Sequence, residues 1–219
     1  RNPHMKYVVV VPDGMADEPL EQLGGRTPLE TADTPNMDAL ARAGRVGQVQ
    51  LVPEGMDPGS DVANLALMGY APRKAYTGRA PIEAVAMKID LSNTDWVFRC
   101  NLITIADGKM ADHSAGHIST EEGSRLVKAL NSQFAGSQMH FYAGVGYRHL
   151  LVFKGLDFEV QTYPPHDYIG TPVEKILPRG KGAELLIDLM AKSQQLFAGH
   201  DINKVRRDLN ENQVSSIWL

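Results

Sequence analysis

The sequence predicts an α/β protein that begins with a three-layer sheet domain, because strand and helix patterns alternate over residues 5 to about 80. Lys6–Val11 (KYVVVV) is a continuous apolar run, typical of a strand buried on both faces of a parallel sheet. A helix should begin at Thr34-Pro35, with Thr as N-cap and Pro in the first helical position, and end at Gly44. Gln48–Val52 predicts a second strand, and Ser60–Met68 predicts a second helix.

The middle of the chain has a different pattern and predicts an α+β module of roughly 120 residues. Its strand candidates are Trp96–Ile105, His140–Phe153 with glycines at 144 and 146 that can interrupt it, and Phe158–Tyr163. Ser119 and Glu122 form a capping-box pattern at the start of an amphipathic helix. A longer helix should cover about Gly182–Phe197, with the apolar residues Leu185, Leu186, Leu189, Met190 and Phe197 on one face.

The two ends of the sequence also carry information. Residues 1–4 (RNPH) precede Met5, and we interpret them as the remnant of an expression tag. Val214–Leu219 (VSSIWL) has the apolar pattern of a core strand. Two interpretations are open: the sequence is cut after this strand, or a terminal strand docks in the sheet.

Composition excludes several classes of protein. The 219 residues contain 22 Lys and Arg against 26 Asp and Glu, a net charge of −4 that argues against a nucleic-acid or polybasic membrane surface. Cys100 is the one cysteine, which excludes an intrachain disulfide and suits a reducing cytosol. No apolar stretch reaches the roughly 18–20 residues of a membrane span. We therefore expect a cytoplasmic protein with no nucleic-acid or membrane partner.

Asp13 and Ser60 are the first candidates for chemistry. Asp13 follows the predicted first strand, where a carboxylate is well placed to hold a cation, although Asp before Gly is also common in ordinary turns. Ser60 stands at the start of a helix, where backbone N–H groups favour a phosphoserine, although Ser is also a common N-cap. Asn64 follows one helical turn later and could donate to the same phosphate. A serine needs a metal or a base to become nucleophilic, and Asp13 could hold that metal.

The middle module supplies scattered cationic and imidazole side chains: Arg99, His117, Arg148 and His166 next to Asp167. If they converge, they suit a small phosphorylated or carboxylated ligand; taken singly, each fits an ordinary surface or structural position. No His-Glu-x-x-His metal motif, P-loop or Gly-x-Ser-x-Gly nucleophile elbow is present in the sequence.

Several longer motifs occur together and in order: Val11–Asp17, Thr34–Leu40, Pro58–Tyr70, Tyr76–Arg79, Phe98–Leu102, Ser114–Ser119, Tyr147–Leu150, Pro164–Asp167 and Ile217–Leu219. Through them the sequence resembles the archaeal type of cofactor-independent phosphoglycerate mutases, which belong to the alkaline phosphatase superfamily. The resemblance covers nearly the whole chain, and this makes it more specific than any one motif.

The resemblance implies an incomplete alkaline-phosphatase-like domain, residues 5–80, with an inserted substrate-binding cap, residues 81–212, and a returning strand, residues 213–219. It implies that Ser60 is the phosphorylated nucleophile and a metal ligand, and that Asp13 binds a divalent metal (manganese, magnesium or zinc). Asn101, His117, Arg148 and His166 would bind the substrate.

The activity that the resemblance implies is interconversion of 3-phosphoglycerate and 2-phosphoglycerate through a phosphoserine. In the family most metal ligands follow the cap, so we expect them beyond residue 219 and expect this chain alone to be inactive. Two alternatives stay open: a homoserine-kinase-like phosphotransferase of the same superfamily, and a non-catalytic anion-binding fragment.

Overall fold

The computed structural model describes residues 5–219, and its contacts divide the chain into two units. The first unit ends at Tyr76 and the second is Thr77–Leu219. The predicted tag remnant, residues 1–4, lies outside the described residues. No helix in the described part of the chain is long and apolar enough to cross a membrane.

Short helices make up the regular structure of the first unit. After a 3-10 turn at Glu21–Leu23 they are α1 (Pro28–Thr31), α2 (Pro35–Ala43), α3 (Ser60–Leu67) and α4 (Pro72–Ala75). The predicted helices at 34–44 and 60–68 are therefore confirmed as α2 and α3. Thr34 occupies the N-cap of α2, but its hydroxyl donates to the Asp38 carboxylate, 3.1 Å away, and does not cap the backbone.

The two strands predicted for this unit are wrong. Residues 6–11 and 48–52 form no strand in the structure, and Tyr7, Val8 and Val10 are at least 80% exposed. Asp13 therefore follows a segment without regular secondary structure rather than a strand. The physical reason is that a strand of a parallel sheet needs a hydrogen-bonded neighbour and helices on both faces. Within residues 5–76 these runs have no strand to pair with.

The second unit contains the sheet. In chain order its elements are α5 (Arg79–Ala86), β1 (Trp96–Ala106), β2 (Lys109–Asp112), α6 (Thr120–Phe134), β3 (Met139–Tyr142), β4 (Arg148–Phe153), β5 (Glu159–Gln161), β6 (Arg179–Lys181), α7 (Ala183–Ala198), α8 (Asp201–Asp208) and β7 (Ser216–Trp218). The main sheet has the order β2-β1-β4-β3, with β7 also paired to β1, and all of these pairs are antiparallel. β5 and β6 form a separate ribbon. The predicted α+β elements of the middle region are confirmed, and the strand predicted over 140–153 is divided into β3 and β4.

The two faces of the main sheet are covered differently. On one face Phe98, Cys100 and Leu102 of β1 belong to a large apolar core that includes Leu126 of α6 and Leu186 of α7. On the other face, Ala80 and Ala84 of α5 pack with Leu150 of β4 and Val97 of β1. Because side chains alternate along a strand, Val97, Arg99 and Asn101 share the face on which α5 lies. That face carries the candidate ligand-binding residues described below.

The last strand belongs to the second unit, whereas residues 213–219 were expected to return to the first domain. Ile217 and Trp218 are buried in the large core, and β7 pairs with β1. Asn203 of α8 fixes the approach to the strand by bonding both the N–H and the C=O of Val214, at 2.8 and 2.7 Å. Burial of these apolar side chains favours this position. The contact division, at Tyr76, also falls before the predicted boundary at residue 80.

Candidate functional site

Ser60 and Asp13 meet in the first unit although 47 positions separate them in sequence. The Ser60 hydroxyl donates to Asp13 Oδ1 at 3.3 Å, and both side chains are exposed. Gly59 occupies the N-cap of α3, so Ser60 is the first helical residue and its hydroxyl does not cap the backbone. Asp13 lies in a turn with Gly14, whose φ of 70° suits glycine. The structure therefore brings together the two residues predicted to carry the chemistry.

A second carboxylate, Asp61, lies beside Ser60 and is not among the predicted site residues. Asp61 accepts a hydrogen bond from the Tyr76 hydroxyl, a contact that ties the start of α3 to the residue that follows α4. Both residues lie within motifs that carry the family resemblance, and their place in these motifs is the sequence signal that could have indicated them. Asn64, predicted to share a phosphate with Ser60, lies one turn along α3 with an exposed side chain.

The oxygen atoms of Asp13 and Ser60 suit a hard divalent cation but supply only part of a coordination shell. Magnesium and manganese prefer carboxylate, hydroxyl and water oxygens, and two such ligands of this chain lie 3.3 Å apart. Within residues 5–219 no group of three His, Cys, Asp or Glu side chains is close enough to hold a metal. The pair therefore fits a metal that takes its remaining ligands from other groups.

In the second unit the sheet brings together three of the predicted binding residues: Arg99, Asn101 and Arg148. Asn101 of β1 lies directly opposite Arg148 of β4 in the strand register, so both side chains leave the same face. Arg99 is two residues from Asn101 on this face, and its Nε lies 3.4 Å from Glu83 Oε1 of α5. Asn101 is only 6% exposed, and its Oδ1 is buried without a hydrogen-bond partner among the described residues. A buried polar atom of this kind favours a ligand.

Arg148 also lies at one end of a chain of side-chain contacts that continues through the rings of Tyr147, His113 and His166. The sequence did not predict this chain of contacts. The Arg148 guanidinium lies 5.5 Å from the ring centre of Tyr147, and the Tyr147 ring meets His113 edge to face at 5.5 Å. His113 in turn lies 6.2 Å from His166, and His166 Nε2 is 3.4 Å from Asp167 Oδ1. The chain of contacts links Arg148 to His166 and Asp167. Tyr147 begins one of the motifs and His113 directly precedes another, but nothing in the sequence indicated their mutual contact.

His117 lies on a separate turn, and no hydrogen bond or ring contact joins it to Arg148 or His166 in the part of the chain described. Its backbone N–H donates to the Ser114 hydroxyl at 3.2 Å, and its side chain is exposed. Asp112 holds the turn by accepting hydrogen bonds from Ser114 and Gly116. Although partial burial opposes ionisation, these hydrogen bonds lower the pKa of Asp112 to about 2.

His149, next to Arg148, is a buried imidazole on the opposite face of β4. Its Nδ1 accepts a hydrogen bond from the Gly144 N–H at 3.0 Å, so the neutral ring carries its proton on Nε2. Gly123 of α6 packs so closely that a Cβ there would lie 3.1 Å from Nε2. Burial lowers the pKa of His149 to about 4. The ring therefore fixes the loop that leads into Arg148, and it is neutral at physiological pH.

Solved structures share this fold. The chain superimposes on a cofactor-independent phosphoglycerate mutase from Thermoplasma acidophilum with a TM-score of 0.57 and 27% identity, over 94% of this chain and 55% of that one. A protein from Pyrococcus horikoshii matches with a TM-score of 0.67 and 29% identity, over 94% and 48% of the two chains. These similarities confirm the mixed α/β fold class and indicate the class of protein: the phosphoglycerate mutases that need no bisphosphoglycerate cofactor.

Sequence relatives define the family. The profile described as 2,3-bisphosphoglycerate-independent phosphoglycerate mutase matches residues 41–203. A 2,3-bisphosphoglycerate-independent phosphoglycerate mutase from Methanothrix thermoacetophila is 51% identical over 98% of this chain and 54% of its own length. A probable one from Geobacter sulfurreducens is 49% identical over 98% and 55%. The chain belongs to the 2,3-bisphosphoglycerate-independent phosphoglycerate mutase family, and it spans about half the length of the curated relatives it matches.

Proposed function

We propose that the protein interconverts 3-phosphoglycerate and 2-phosphoglycerate, with Ser60 as the residue that is transiently phosphorylated. The observation that carries the proposal is the hydrogen bond of 3.3 Å between Ser60 Oγ and Asp13 Oδ1 at the start of α3. It combines a nucleophile, a carboxylate that can activate it and a helix N-terminus that favours a phosphate. Membership of the family supports the same reaction.

The transfer takes place in two steps at Ser60. Ser60 Oγ attacks the phosphorus of 3-phosphoglycerate in line, the bond from phosphorus to the 3-oxygen breaks, and the hydroxyl proton of Ser60 leaves to complete the 3-hydroxyl of glycerate. Glycerate then turns, its 2-oxygen attacks the phosphorus of the phosphoserine, the bond from phosphorus to Ser60 Oγ breaks, and the proton of the 2-hydroxyl returns to Ser60. The two steps conserve all atoms and need no second phosphate donor.

Asp13 and Ser60 would hold a divalent metal, which would supply charge neutralisation and a lower pKa for the serine hydroxyl. Manganese, magnesium and zinc all accept such oxygen ligands. The part played by this chain is to hold the Ser60 hydroxyl on the Asp13 carboxylate. The free N–H groups at the start of α3 and the amide of Asn64 are available to the phosphoserine oxygens.

Recognition of the substrate's anionic groups is assigned to the second unit. Arg99 and Arg148 provide charge-assisted donors for a carboxylate or phosphate, and the amide of Asn101 provides both a donor and its unpartnered Oδ1 for a glycerate hydroxyl. His117 and His166 can donate to the same ligand, with Asp167 orienting His166. We place this reaction in the cytoplasm, where the reduced state of the one cysteine, Cys100, would persist.

Mass spectrometry of Ser60 tests the phosphoserine. The complete reading frame is expressed, incubated with 3-phosphoglycerate and manganese, and quenched in acid. We expect phosphate on the peptide that contains Ser60, and we expect Ser60→Ala to abolish both this phosphate and 2-phosphoglycerate formation. Ser137→Ala, at an exposed serine of the turn before β3, is the matched control and should change neither.

Two results would overturn the proposal. Full mutase activity in Ser60→Ala would show that Ser60 is not the nucleophile. Phosphorylation of homoserine by ATP, without mutase activity, would show that the protein catalyses the related kinase reaction instead. Binding of 3-phosphoglycerate that needs neither Ser60 nor a metal, with no turnover by the complete protein, would leave a non-catalytic anion-binding protein.

The substrate face has its own test. Arg148→Gln removes a charge-assisted donor, and we expect the KM for 3-phosphoglycerate to rise about tenfold or more. Arg207→Gln, at an exposed arginine of α8 on a different surface, serves as the control with unchanged KM. An unchanged KM in Arg148→Gln would show that this face of the sheet does not bind the substrate.

A further inference from the structure

Residues Ala115, Gly116 and His117 form a left-handed turn, with φ angles of 49°, 67° and 51°. Glycine adopts this conformation freely, but alanine and histidine do so against a steric penalty. Ala115 is also fully buried, so its conformation cannot relax without disturbing the core. The turn is therefore held by its surroundings, and such strained segments concentrate at sites that bind ligands.

Two charged side chains of opposite sign hold the turn. The Asp112 carboxylate accepts hydrogen bonds from the backbone N–H groups of Ser114 and Gly116, at 2.7 and 2.6 Å. Arg206 of α8, which is 2% exposed, donates from Nη2 to the carbonyl of Ala115 at 2.8 Å. Packing is tight here, because a Cβ on Gly116 would lie 2.9 Å from Arg206 Nη2.

The other guanidinium atoms of Arg206 are also bonded. Nε donates to the Asn212 carbonyl at 2.7 Å, and Nη1 donates to Glu122 Oε1 of α6 at 3.0 Å and lies 3.3 Å from Glu211 Oε2. A buried ion pair often adds little net stability, because desolvation offsets the attraction, whereas it does restrict which arrangement of the chain is allowed. Arg206 thus joins α6, α8 and the segment before β7 to one backbone carbonyl of the turn.

We propose that Arg206 is a positioning residue, which holds the left-handed turn so that His117 presents its imidazole to the anionic substrate. This inference rests on the proposed function. The His117 side chain is exposed and makes no hydrogen bond within residues 5–219, so its strained backbone has no evident role in packing. Three backbone groups of the turn, in contrast, are bound: the Gly116 N–H by Asp112, the His117 N–H by Ser114 and the Ala115 carbonyl by Arg206.

The first measurement follows the turn without any ligand. Arg206→Lys keeps the charge but cannot reproduce the fork of donors that reaches Ala115, Glu122 and Asn212 together. We expect amide exchange of residues 116–118 to quicken about tenfold or more, while the amides of β4 stay protected. Arg207→Lys is the matched control: Arg207 is the next residue of α8, is exposed, and its guanidinium donates to the Gln213 side chain at 3.0 Å.

The second measurement uses calorimetric titration of the complete protein with 3-phosphoglycerate. Arg206→Lys and His117→Ala should each weaken binding about tenfold, and the double variant should lose no more than either alone, because both remove the same contact. The variant His117→Gly tests whether weaker binding could result from misfolding. Glycine relieves the left-handed strain, so this variant should melt at a higher temperature than the parent protein and still bind about tenfold more weakly.

Opposite outcomes separate this inference from the proposed function. Undiminished binding in His117→Gly, or additive losses in the double variant, would overturn the positioning role of Arg206. If Arg148→Gln weakens binding while the His117 and Arg206 variants do not, only this inference fails. If none of these variants weakens binding, the assignment of the substrate site to the second unit fails with it.

Discussion

The two units of the chain differ in how far their apolar residues are buried. In the second unit Leu102, Leu126 and Leu186 are fully buried in one core formed by the main sheet and the helices α6 and α7. In the first unit the apolar run over residues 6–11 and Leu40 of α2 are exposed, Leu40 by 74%. Apolar residues are present in both units, but residues 5–76 form no strands that could bury them, whereas the second unit does.

The difference follows from strand pairing: an antiparallel sheet can form from strands that are neighbours in sequence, whereas a parallel sheet needs crossover connections. β3 and β4 are neighbours in sequence and pair across a short loop, and β7 returns to β1, so the second unit supplies its own partners. A parallel strand such as the one predicted over 6–11 depends on other strands placed beside it by crossovers. The helices α2 and α3 form because their hydrogen bonds are local.

Hydrogen exchange should show the largest contrast between the units. We expect amides of residues 100–103 and 149–153 to exchange at least about a thousandfold more slowly than amides of residues 7–11, since the latter have no strand partner. Exchange followed by mass spectrometry at neutral pH measures this on the 219-residue chain. Equal protection of residues 7–11 would show that this segment is paired after all.

Core packing provides the next contrast. Leu151→Ala empties a fully buried position of β4 and should lower the free energy of unfolding by about 2–5 kcal/mol. Leu40→Ala, in the exposed surface of α2, should change it by less than about 0.5 kcal/mol. Both tryptophans, Trp96 and Trp218, lie in the second unit, so urea unfolding followed by their fluorescence reports on that unit. Similar losses in both variants would contradict the difference between the units.

The sequence alone predicted the fold where local signals and pairing agree. The Ser119 capping box, the helix before residue 198 and the strand from Trp96 are all present in the structure. The strand predicted over 6–11 is absent because the apolar pattern reports a local preference and carries no information about a neighbouring strand to pair with. The end of the chain was placed differently for a related reason, since the apolar pattern of Ile217 does not say which sheet will bury it.

The candidate site was predicted in its residue types but not in its geometry. Ser60 was predicted from its place at a helix start and Asp13 from its place after an apolar run, and the structure adds their hydrogen bond. The meeting of Asn101 with Arg148 depends on the register of β1 with β4, and register follows from packing rather than from the motif. His113 lies in contact with His166 through tertiary structure alone.

Acid should weaken the second unit through His149. Its pKa is about 6.5 in the unfolded chain and about 4 in the buried neutral ring, so the unfolded state binds the extra proton first as the pH falls. The stability that neutral His149 contributes is complete above pH 6.5 and is lost between about pH 6.5 and 4, up to about 3 kcal/mol. Urea unfolding at pH 7 and pH 5 measures the loss.

A pair of variants isolates this effect. His149→Asn keeps an acceptor for the Gly144 N–H but cannot titrate, so its stability should fall less between pH 7 and pH 5. His140→Gln, at an exposed residue of β3, should keep the dependence of the parent protein. The same steep fall in His149→Asn would place the acid sensitivity elsewhere.

The smallest expected effect uses two helix caps of the same design. Ser119 caps α6 and Thr27 caps α1, and in each the side chain accepts from the N3 backbone while the N3 glutamate accepts from the N-cap N–H. Ser119→Ala should lower the unfolding free energy of the second unit by about 1 kcal/mol, because it frees a backbone donor and disturbs Glu122, a partner of Arg206. Thr27→Ala should leave tryptophan-detected unfolding unchanged, since α1 belongs to the other unit. Equal losses would contradict this expectation and would mean that the caps of both units stabilise one cooperative transition.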